Sequence, residues 1–159
     1  MVRSQGAQPI VIVGRDYIQS VAFLADWKHF VSGDQEGKIR SWHIQDGMEV
    51  GMPMDAGTGV KDIAVSRDGK WIVSGASSLG LVTVWNAESH EKVTEFEHTR
   101  CVNAVDVSPD GTTVSSGSRD ETVCVWSLST GQRLLDPLKH DDWSVRNSHP
   151  TDVSLSLPR

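Results

Sequence analysis

The hydrophobic positions of this chain repeat at an interval of about 42 residues. Three strand-like segments end in Ser-Gly, and a tryptophan follows each glycine after nine or ten residues. The interval is kept by the glycines, by the tryptophans and by apolar strand residues: Gly33, Gly75 and Gly117; Trp42, Trp85 and Trp126; Val21, Ile63 and Val105. Self-similarity at a fixed period of this length is typical of repeat proteins, so the pattern predicts three full units with a remnant at each end.

Within each unit apolar and polar side chains alternate with a period of two, which predicts β-strands. In the third unit we predict a first strand at 102–107, with Ala104 or Val105 among its inward positions. A second strand at 112–117, a third at 122–126 and a short outer strand at 132–135 follow. Four short strands per unit with no helical period predict an all-β fold.

The turn between the first two strands of a unit contains Asp-Gly at Asp68-Gly69 and at Asp110-Gly111. Asp-Gly favours a tight hairpin turn, because such turns need positive φ at their central positions. The first unit has Asp26-Trp27 instead. We therefore expect a poorer turn there.

These motifs resemble those of the WD40-repeat proteins over about residues 10–147. The third unit carries Val-Ser-Pro-Asp-Gly at 107–111, Ser-Ser-Gly-Ser-Arg-Asp at 115–120 and Val-Cys-Val-Trp at 123–126. The second unit carries Val-Ser-Arg-Asp-Gly, Val-Ser-Gly and Val-Thr-Val-Trp, and the first carries Val-Ser-Gly-Asp and Ile-Arg-Ser-Trp. The resemblance implies an incomplete WD40-type β-propeller of three four-stranded antiparallel blades, with remnant strands at both ends.

The domain boundaries follow from where the repeat begins and fails. We predict a disordered N-terminus at 1–9, a partial propeller at 10–147 and a frayed tail at 148–159. The blades are predicted at 18–51, 60–95 and 102–135, with end strands at 10–13 and 143–147.

Three blades cannot close a ring, since propellers typically have about four to eight. The first and last sheets would then each present an apolar face to water, which is unfavourable. We therefore expect either a truncated product of a longer gene or self-association, in which another copy supplies the missing blades.

Composition narrows the class of partner. The chain has 159 residues, 15 basic and 21 acidic, a net charge of −6 and no basic run. Nucleic-acid binding is therefore disfavoured. The apolar stretch at 10–13 is too short for a signal sequence or a membrane span.

The two cysteines favour an intracellular location for the protein. A predicted strand separates Cys101 from Cys124, so we expect two free thiols in a reducing compartment. We expect a cytoplasmic location, with the nucleus as the alternative.

The resemblance implies one buried polar network in the third blade. In the family a tryptophan, a hydroxyl residue, a histidine and an aspartate of one blade are linked by hydrogen bonds, and the matching residues are His98, Ser116, Asp120 and Trp126. The other units depart from this pattern. Gly14 and Ala56 stand where histidine is expected, and Glu36 and Ser78-Leu79 stand near the aspartate position.

Two groups of residues partly match sites of other kinds. Ser116, His98 and Asp120 could form a nucleophile system, but the serine lacks a strained turn and any substrate motif. The segment 33–38 is one residue short of a phosphate loop and leads into a strand. No cofactor, metal ion or catalytic residue is predicted.

The resemblance also implies a partner-binding rim where first-strand entries and the turns after second strands converge. The matching residues are Tyr17, Gln19, Gln35, Lys61, Ser77, Cys101, Asn103, Arg119 and Trp143. Tyrosine, tryptophan and arginine often dominate binding energy. Alternatively, Tyr17 and Trp143 only cover the edge of a neighbouring blade.

Three hypotheses of function follow. The first is a non-catalytic scaffold that binds other proteins or peptides. The second is a truncated structural fragment of a larger WD-repeat signalling protein, for example an NTPase-linked sensor array, with no independent activity. The third is a hydrolase that uses Ser116 and His98, which we do not expect.

Overall fold

The computed structural model describes residues 16–139, and every regular element in that part of the chain is a β-strand. The all-β prediction is confirmed. The strands are β1 Ile18–Phe23, β2 His29–Asp34, β3 Lys38–His43, β4 Glu49–Asp55, β5 Val60–Val65, β6 Trp71–Ala76, β7 Leu81–Asn86, β8 Lys92–Glu97, β9 Val102–Val107, β10 Thr113–Ser118, β11 Thr122–Ser127 and β12 Leu138–Lys139. The predicted segments 1–9, 10–13, 143–147 and 148–159 lie outside the described residues.

The strands form three antiparallel sheets of four, each in chain order: β1–β4, β5–β8 and β9–β12. We call these sheets blades 1, 2 and 3. Corresponding residues pair in all three, because each blade is the same 42-residue unit. Examples are Val21 with Ser32, Ile63 with Ser74, and Val105 with Ser116.

A shift in register near the start of each first strand breaks the simple alternation of side chains. In blade 3 it lies where Ser118 pairs with Val102 and Gly117 with Ala104. Val105 is buried as a result, whereas Ala104 is exposed. The inward-facing residue of this strand, which alternation alone left open, is therefore Val105 and not Ala104.

The predicted outer strand of blade 3 at 132–135 is wrong. Arg133 makes only an isolated bridge to Trp126, and the strand lies at Leu138–Lys139, where Leu138 pairs with Val123. Pro137 explains the interruption, because proline cannot donate a backbone hydrogen bond and restricts the residue before it. The blade therefore extends to residue 139 instead of 135.

The hydrophobic core consists of two seams, one between each pair of neighbouring blades. In the seam between blades 1 and 2, side chains from β2–β4 pack on side chains from β5–β7: Val31, Ile39 and Met54 on Val60, Ile63, Ile72 and Trp85. In the seam between blades 2 and 3, the corresponding residues pack in the same way: Val73, Val82 and Phe96 with Val102, Val105, Val114 and Trp126.

A glycine in the second strand lets the blades approach closely. A Cβ atom on Gly33 would lie 2.6 Å from Val60 Cγ1, and one on Gly75 would lie 2.8 Å from Val102 Cγ1. Any larger residue would push the next blade away. The repeated Ser-Gly is therefore a packing requirement of the seams.

Candidate functional site

A chain of hydrogen bonds joins the four predicted network residues of blade 3. Trp126 Nε1–H donates to Ser116 Oγ at 2.8 Å, and His98 Nε2 lies 2.8 Å from the same oxygen. His98 Nδ1 lies 3.0 Å from Asp120 Oδ2. Because an ionised carboxylate only accepts, His98 donates from Nδ1 and accepts the Ser116 proton at Nε2.

Asp120 connects this hydrogen-bond network to the loop before β9 and to the start of β11. Its Oδ2 accepts from the Thr99 N–H at 3.0 Å, and its Oδ1 accepts from the Thr122 N–H at 3.0 Å and the Thr122 hydroxyl at 2.6 Å. Burial alone raises the pKa of Asp120, but the hydrogen bonds from Thr122, Thr99 and His98 outweigh it and lower the pKa to about 2. The carboxylate therefore stays ionised and its hydrogen bonds stay charge-assisted.

The same geometry disfavours a nucleophilic Ser116. Its side chain is 2% exposed, and its oxygen already has Trp126 and His98 as partners. A catalytic serine needs a free approach for substrate and donors for the developing oxyanion. The arrangement satisfies the polar groups and offers no such approach.

Blades 1 and 2 keep the tryptophan–serine half of the network. Trp42 Nε1 donates to Ser32 Oγ at 2.8 Å, and Trp85 Nε1 donates to Ser74 Oγ at 2.9 Å. The Ala56 N–H donates to the Gly37 carbonyl, and the His98 N–H donates to the Gly80 carbonyl at the corresponding place. Ala56 therefore occupies the position that histidine has in blade 3. Gly14 lies outside the described residues.

In blade 1 the turn carboxylate is Asp34, which the sequence comparison missed. Asp34 is 7% exposed, and its Oδ1 accepts from the backbone N–H groups of Glu36 at 3.0 Å and Lys38 at 2.8 Å. Glu36 itself is exposed. The sequence feature that could have indicated this role is the aspartate directly after Ser-Gly. The other units have Ala76 and Ser118 at that position.

The longer turn of blade 2 uses hydroxyl groups. Ser78 Oγ is hydrogen-bonded to Thr58 Oγ1, which lies in the connection between blades 1 and 2. Leu79 is exposed beside it. This turn thus lacks a carboxylate at the position of Asp120.

The predicted rim residues lie at one edge of the three sheets, held by one repeated backbone hydrogen bond. The Gln35 N–H donates to the Tyr17 carbonyl at 3.0 Å, and the Arg119 N–H donates to the Cys101 carbonyl at 2.8 Å. In blade 2 the same bond joins Ser77 to Gly59 at 2.7 Å. Gln19, Lys61 and Asn103 follow at the start of the first strands, and Trp143 lies outside the described residues.

The rims of blades 1 and 2 are in contact. A Cβ atom on Gly59 would lie 2.5 Å from the Gln35 carbonyl oxygen and 2.7 Å from Ser77 Oγ. Blade 2 therefore has no side chain where blade 1 presents the exposed Tyr17 and blade 3 presents Cys101. Arg119 is exposed at the far end of the same edge, so the rim is a polar surface with a gap at its middle.

Other kinds of site find little support in the described part of the chain. The segment 33–38 is a tight turn, with Gly37 at φ 94°, that joins two strands. No group of three or more metal-binding side chains is brought together among residues 16–139. Nor does this part of the chain contain a helix long and apolar enough to cross a membrane.

Comparison with known families agrees with this geometry. The family model described as "WD domain, G-beta repeat" matches residues 54–86 and 90–127. Each match includes outer-strand residues of one blade and ends at the residue after the tryptophan of the next.

Several curated proteins are similar to this chain. The nuclear distribution protein nudF of Emericella nidulans is 30% identical over 156 residues, which cover 82% of this chain and 34% of that protein. The protein groucho of Drosophila melanogaster is 29% identical over 163 residues, which cover 90% of this chain and 22% of that protein. The chain thus spans about a third or less of these relatives.

Solved structures show the same fold. The crystal structure of the RRP9 WD40 repeats matches with a TM-score of 0.76 and 23% identity, covering 82% of this chain and 41% of that one. The structure of U3-55K matches with a TM-score of 0.76 and 23% identity, covering 42% of that chain.

Proposed function

The chain carries the repeats of the WD40 family, and we propose that it is a non-catalytic scaffold that binds protein or peptide partners through the rim of its blades. The observation that carries the proposal is the repeated bond that sets Tyr17 and Gln35, Gly59 and Ser77, and Cys101 and Arg119 at equivalent places on one edge. Loop positions held by a rigid scaffold are favoured for binding.

Tyr17 and Arg119 are the strongest candidates for contact residues. Both are exposed, and Tyr17 is 77% exposed although it is aromatic. These two residue types supply much of the binding energy in protein interfaces. Lys61 and Arg119 add basic groups to this edge beside the acidic Glu36 and Glu121 of the same turns, so the edge offers charged groups of both signs to a partner.

In this proposal the buried network of blade 3 is structural. The bonds from Asp120 to Thr99 and Thr122 connect the rim turn to the loop before β9. The network thereby fixes the position of Arg119, the residue before Asp120. A rigid rim loses less conformational entropy on binding.

We place the protein in the cytoplasm, with the nucleus as the alternative. Cys101 and Cys124 are both free thiols. Free thiols persist in reducing compartments.

A second candidate function is that of a structural part of a larger WD-repeat signalling protein. The observation that favours it is the chain's coverage of 34% of nudF and 22% of groucho. In that case the rim would act together with further blades. Rim binding by this chain alone distinguishes the first candidate from the second.

A displayed peptide library tests the first candidate. Peptides selected on the wild-type protein would be measured by calorimetry against Tyr17→Ala, Arg119→Ala and the control Val93→Ala. Val93 is an exposed residue of the outer strand β8, away from the rim. We expect at least about tenfold weaker binding for each rim variant, which corresponds to roughly 1.4 kcal/mol, and no change for the control. Equal binding by all four proteins would overturn the proposal.

A further inference from the structure

The two seams follow one packing rule. Apolar residues of a first strand lie over the second-strand glycine of the preceding blade: Val60 and Ile63 over Gly33. Val102 and Val105 lie over Gly75 in the same way. Each blade therefore has a face with projecting side chains and an opposite face with a glycine hollow.

Blade 1 presents a projecting face that no described residue covers. Ile18, Val21 and Phe23 are 45%, 62% and 61% exposed. Their counterparts in blade 3, which pack in a seam, are 0%, 7% and 9% exposed: Val102, Val105 and Val107. The difference reflects the absence of a preceding blade among residues 16–139.

Blade 3 presents the matching hollow face. A Cβ atom on Gly117 would meet no described atom within 4 Å, in contrast to Gly33 and Gly75. Leu138 is 54% exposed, whereas its counterparts Met54 and Phe96 are 2% and 4% exposed. Phe96 stacks on Trp126 of the next blade at a ring separation of 4.9 Å.

We propose that a second copy of this chain covers both faces, with blade 1 of each copy packed on blade 3 of the other. The two copies then form a ring of six blades, within the usual range of about four to eight. A two-fold axis relates the two new seams, so the head-to-tail contacts close. Each new seam continues the packing rule of the existing ones.

The rule fixes the register of the new seams. Ile18 of one copy lies over Gly117 of the other, as Val102 lies over Gly75.

Trp27 adds a contact that the existing seams lack. A Cβ atom on Gly69 would lie 3.2 Å from Ala25 Cβ of the preceding blade. Trp27 takes the place of Gly69 in blade 1, and Pro109 takes the place of Ala25 in blade 3. In the proposed ring the exposed indole of one copy therefore lies over the proline of the other.

The area agrees with a stable dimer. Four strands about 4.8 Å apart and six residues long present roughly 400 Å² on one face, and blade 3 presents less because its outer strand has two residues. Four such faces meet in the ring, which gives a buried area of the order of the 1,200–2,000 Å² of stable interfaces. The proposal does not depend on the rim, which lies at the edge of the sheets.

Light scattering of the purified full chain tests the proposal. We expect twice the chain mass of 17.4 kDa for the wild type. Val21→Asp charges the projecting face and Gly117→Leu fills the hollow face, so each should be monomeric. The control Val93→Asp charges an exposed apolar residue on an outer strand and should remain dimeric. Circular dichroism confirms that each variant is folded.

Mixing the two variants tests the head-to-tail arrangement. In a mixed dimer one seam combines two altered faces and the other combines two unaltered faces, so we expect dimer to reappear on mixing. A dimer with like faces together would not be recovered. A monomeric wild type, or a dimer that neither variant disrupts, would overturn the proposal.

A cysteine pair gives a second measurement, which reports the register of the new seam directly. A Cβ atom on Gly75 would lie 3.3 Å from Val102 Cβ, close to the roughly 3.5–4.5 Å of a disulfide. The double variant Ile18→Cys and Gly117→Cys should therefore form a covalent dimer under mild oxidation. The single variants control for Cys101 and Cys124 and should not. Failure of the double variant to cross-link would contradict the register.

Discussion

His90 Nδ1, in a turn of blade 2, lies 2.8 Å from the carbonyl oxygen of Met52 in the outer strand of blade 1. Its Nε2 lies 3.1 Å from Ser41 Oγ, so one imidazole joins two strands of the neighbouring blade. His90 also adopts φ 61°, where the corresponding turns have Gly47 and Gly131. The contact between blades thus offsets an unfavourable backbone conformation.

Replacement of His90 should separate these two effects. His90→Ala keeps the positive φ and leaves Ser41, which is buried, without its partner, so we expect a loss of about 1–3 kcal/mol in unfolding free energy. His90→Gly should lose about 1 kcal/mol less, because glycine relieves the backbone strain. Urea denaturation of both variants measures the difference. Equal losses would mean that the turn carries no strain.

The turn carboxylates should differ in their contribution to stability. Asp120→Ala leaves His98 and two backbone N–H groups without an acceptor, so we expect a loss of about 1–3 kcal/mol. Asp34→Ala should cost a comparable amount, since it leaves two backbone N–H groups unpaired. Glu36→Ala should cost less than either. A cost at Glu36 equal to that at Asp120 would contradict the assignment, and chemical denaturation decides it.

Asp34 also shows how far the sequence could predict this site. The resemblance to the WD40 repeats implied that His98, Ser116, Asp120 and Trp126 form one network, and hydrogen bonds join these four residues in blade 3. Alignment by position cannot show that a carboxylate two residues earlier reaches the same kind of turn N–H. Such an exchange depends on the path of the backbone and not on the repeat.

The outer strand of blade 3 was mispredicted for a related reason. Its pairing begins at Arg133, as the repeat predicts, but is interrupted before Pro137 and resumes at Leu138. Outer strands have one neighbour and little burial, so alternation of side chains specifies them weakly. The central strands of each blade were predicted well, because each has two neighbouring strands and at least one face buried in a seam.

Acid should weaken blade 3 through Asp120. The pKa of this group is lowered from 3.8 to about 2 in the folded protein. Its ionised form therefore contributes stability that is fully present above pH 4 and lost as the pH falls towards 2. The contribution is about 2 kcal/mol. Other carboxyl groups with lowered pKa values, such as Asp26 and Asp55, act in the same range.

The variant Asp120→Asn isolates this contribution. Its unfolding free energy should lie below that of the wild type at pH 7, and the two should converge between about pH 4 and pH 2. Urea denaturation across this range provides the measurement. Parallel curves would show that Asp120 titrates alike in the folded and unfolded chain.

Glu121 offers a stabilising substitution. It adopts φ 68° in the turn before β11, where blade 1 has Gly37. A residue other than glycine in this conformation costs about 1–2 kcal/mol. Glu121→Gly should raise the unfolding free energy by about 0.5–1 kcal/mol after the greater entropy of glycine in the unfolded chain is counted. Glu121→Ala keeps the strain and serves as the matched control in thermal or urea denaturation; a gain in the alanine variant would point to the loss of charge as the cause.

The seam glycines should respond to the same substitution in opposite ways. Gly75→Ala places a Cβ atom 2.8 Å from Val102 Cγ1, so we expect overpacking to cost about 1–3 kcal/mol. Gly117→Ala meets no described atom within 4 Å, and alanine suits a strand better than glycine. In dilute, monomeric protein the Gly117→Ala substitution should therefore be neutral, or raise the unfolding free energy by up to about 1 kcal/mol.

At concentrations where wild-type dimer forms, Gly117→Ala should weaken association, because its methyl group enters the hollow that Ile18 of the second copy requires. Denaturation at low concentration and sedimentation at high concentration measure the two effects separately. A cost for Gly117→Ala in the monomer would mean that this face is already covered within one chain.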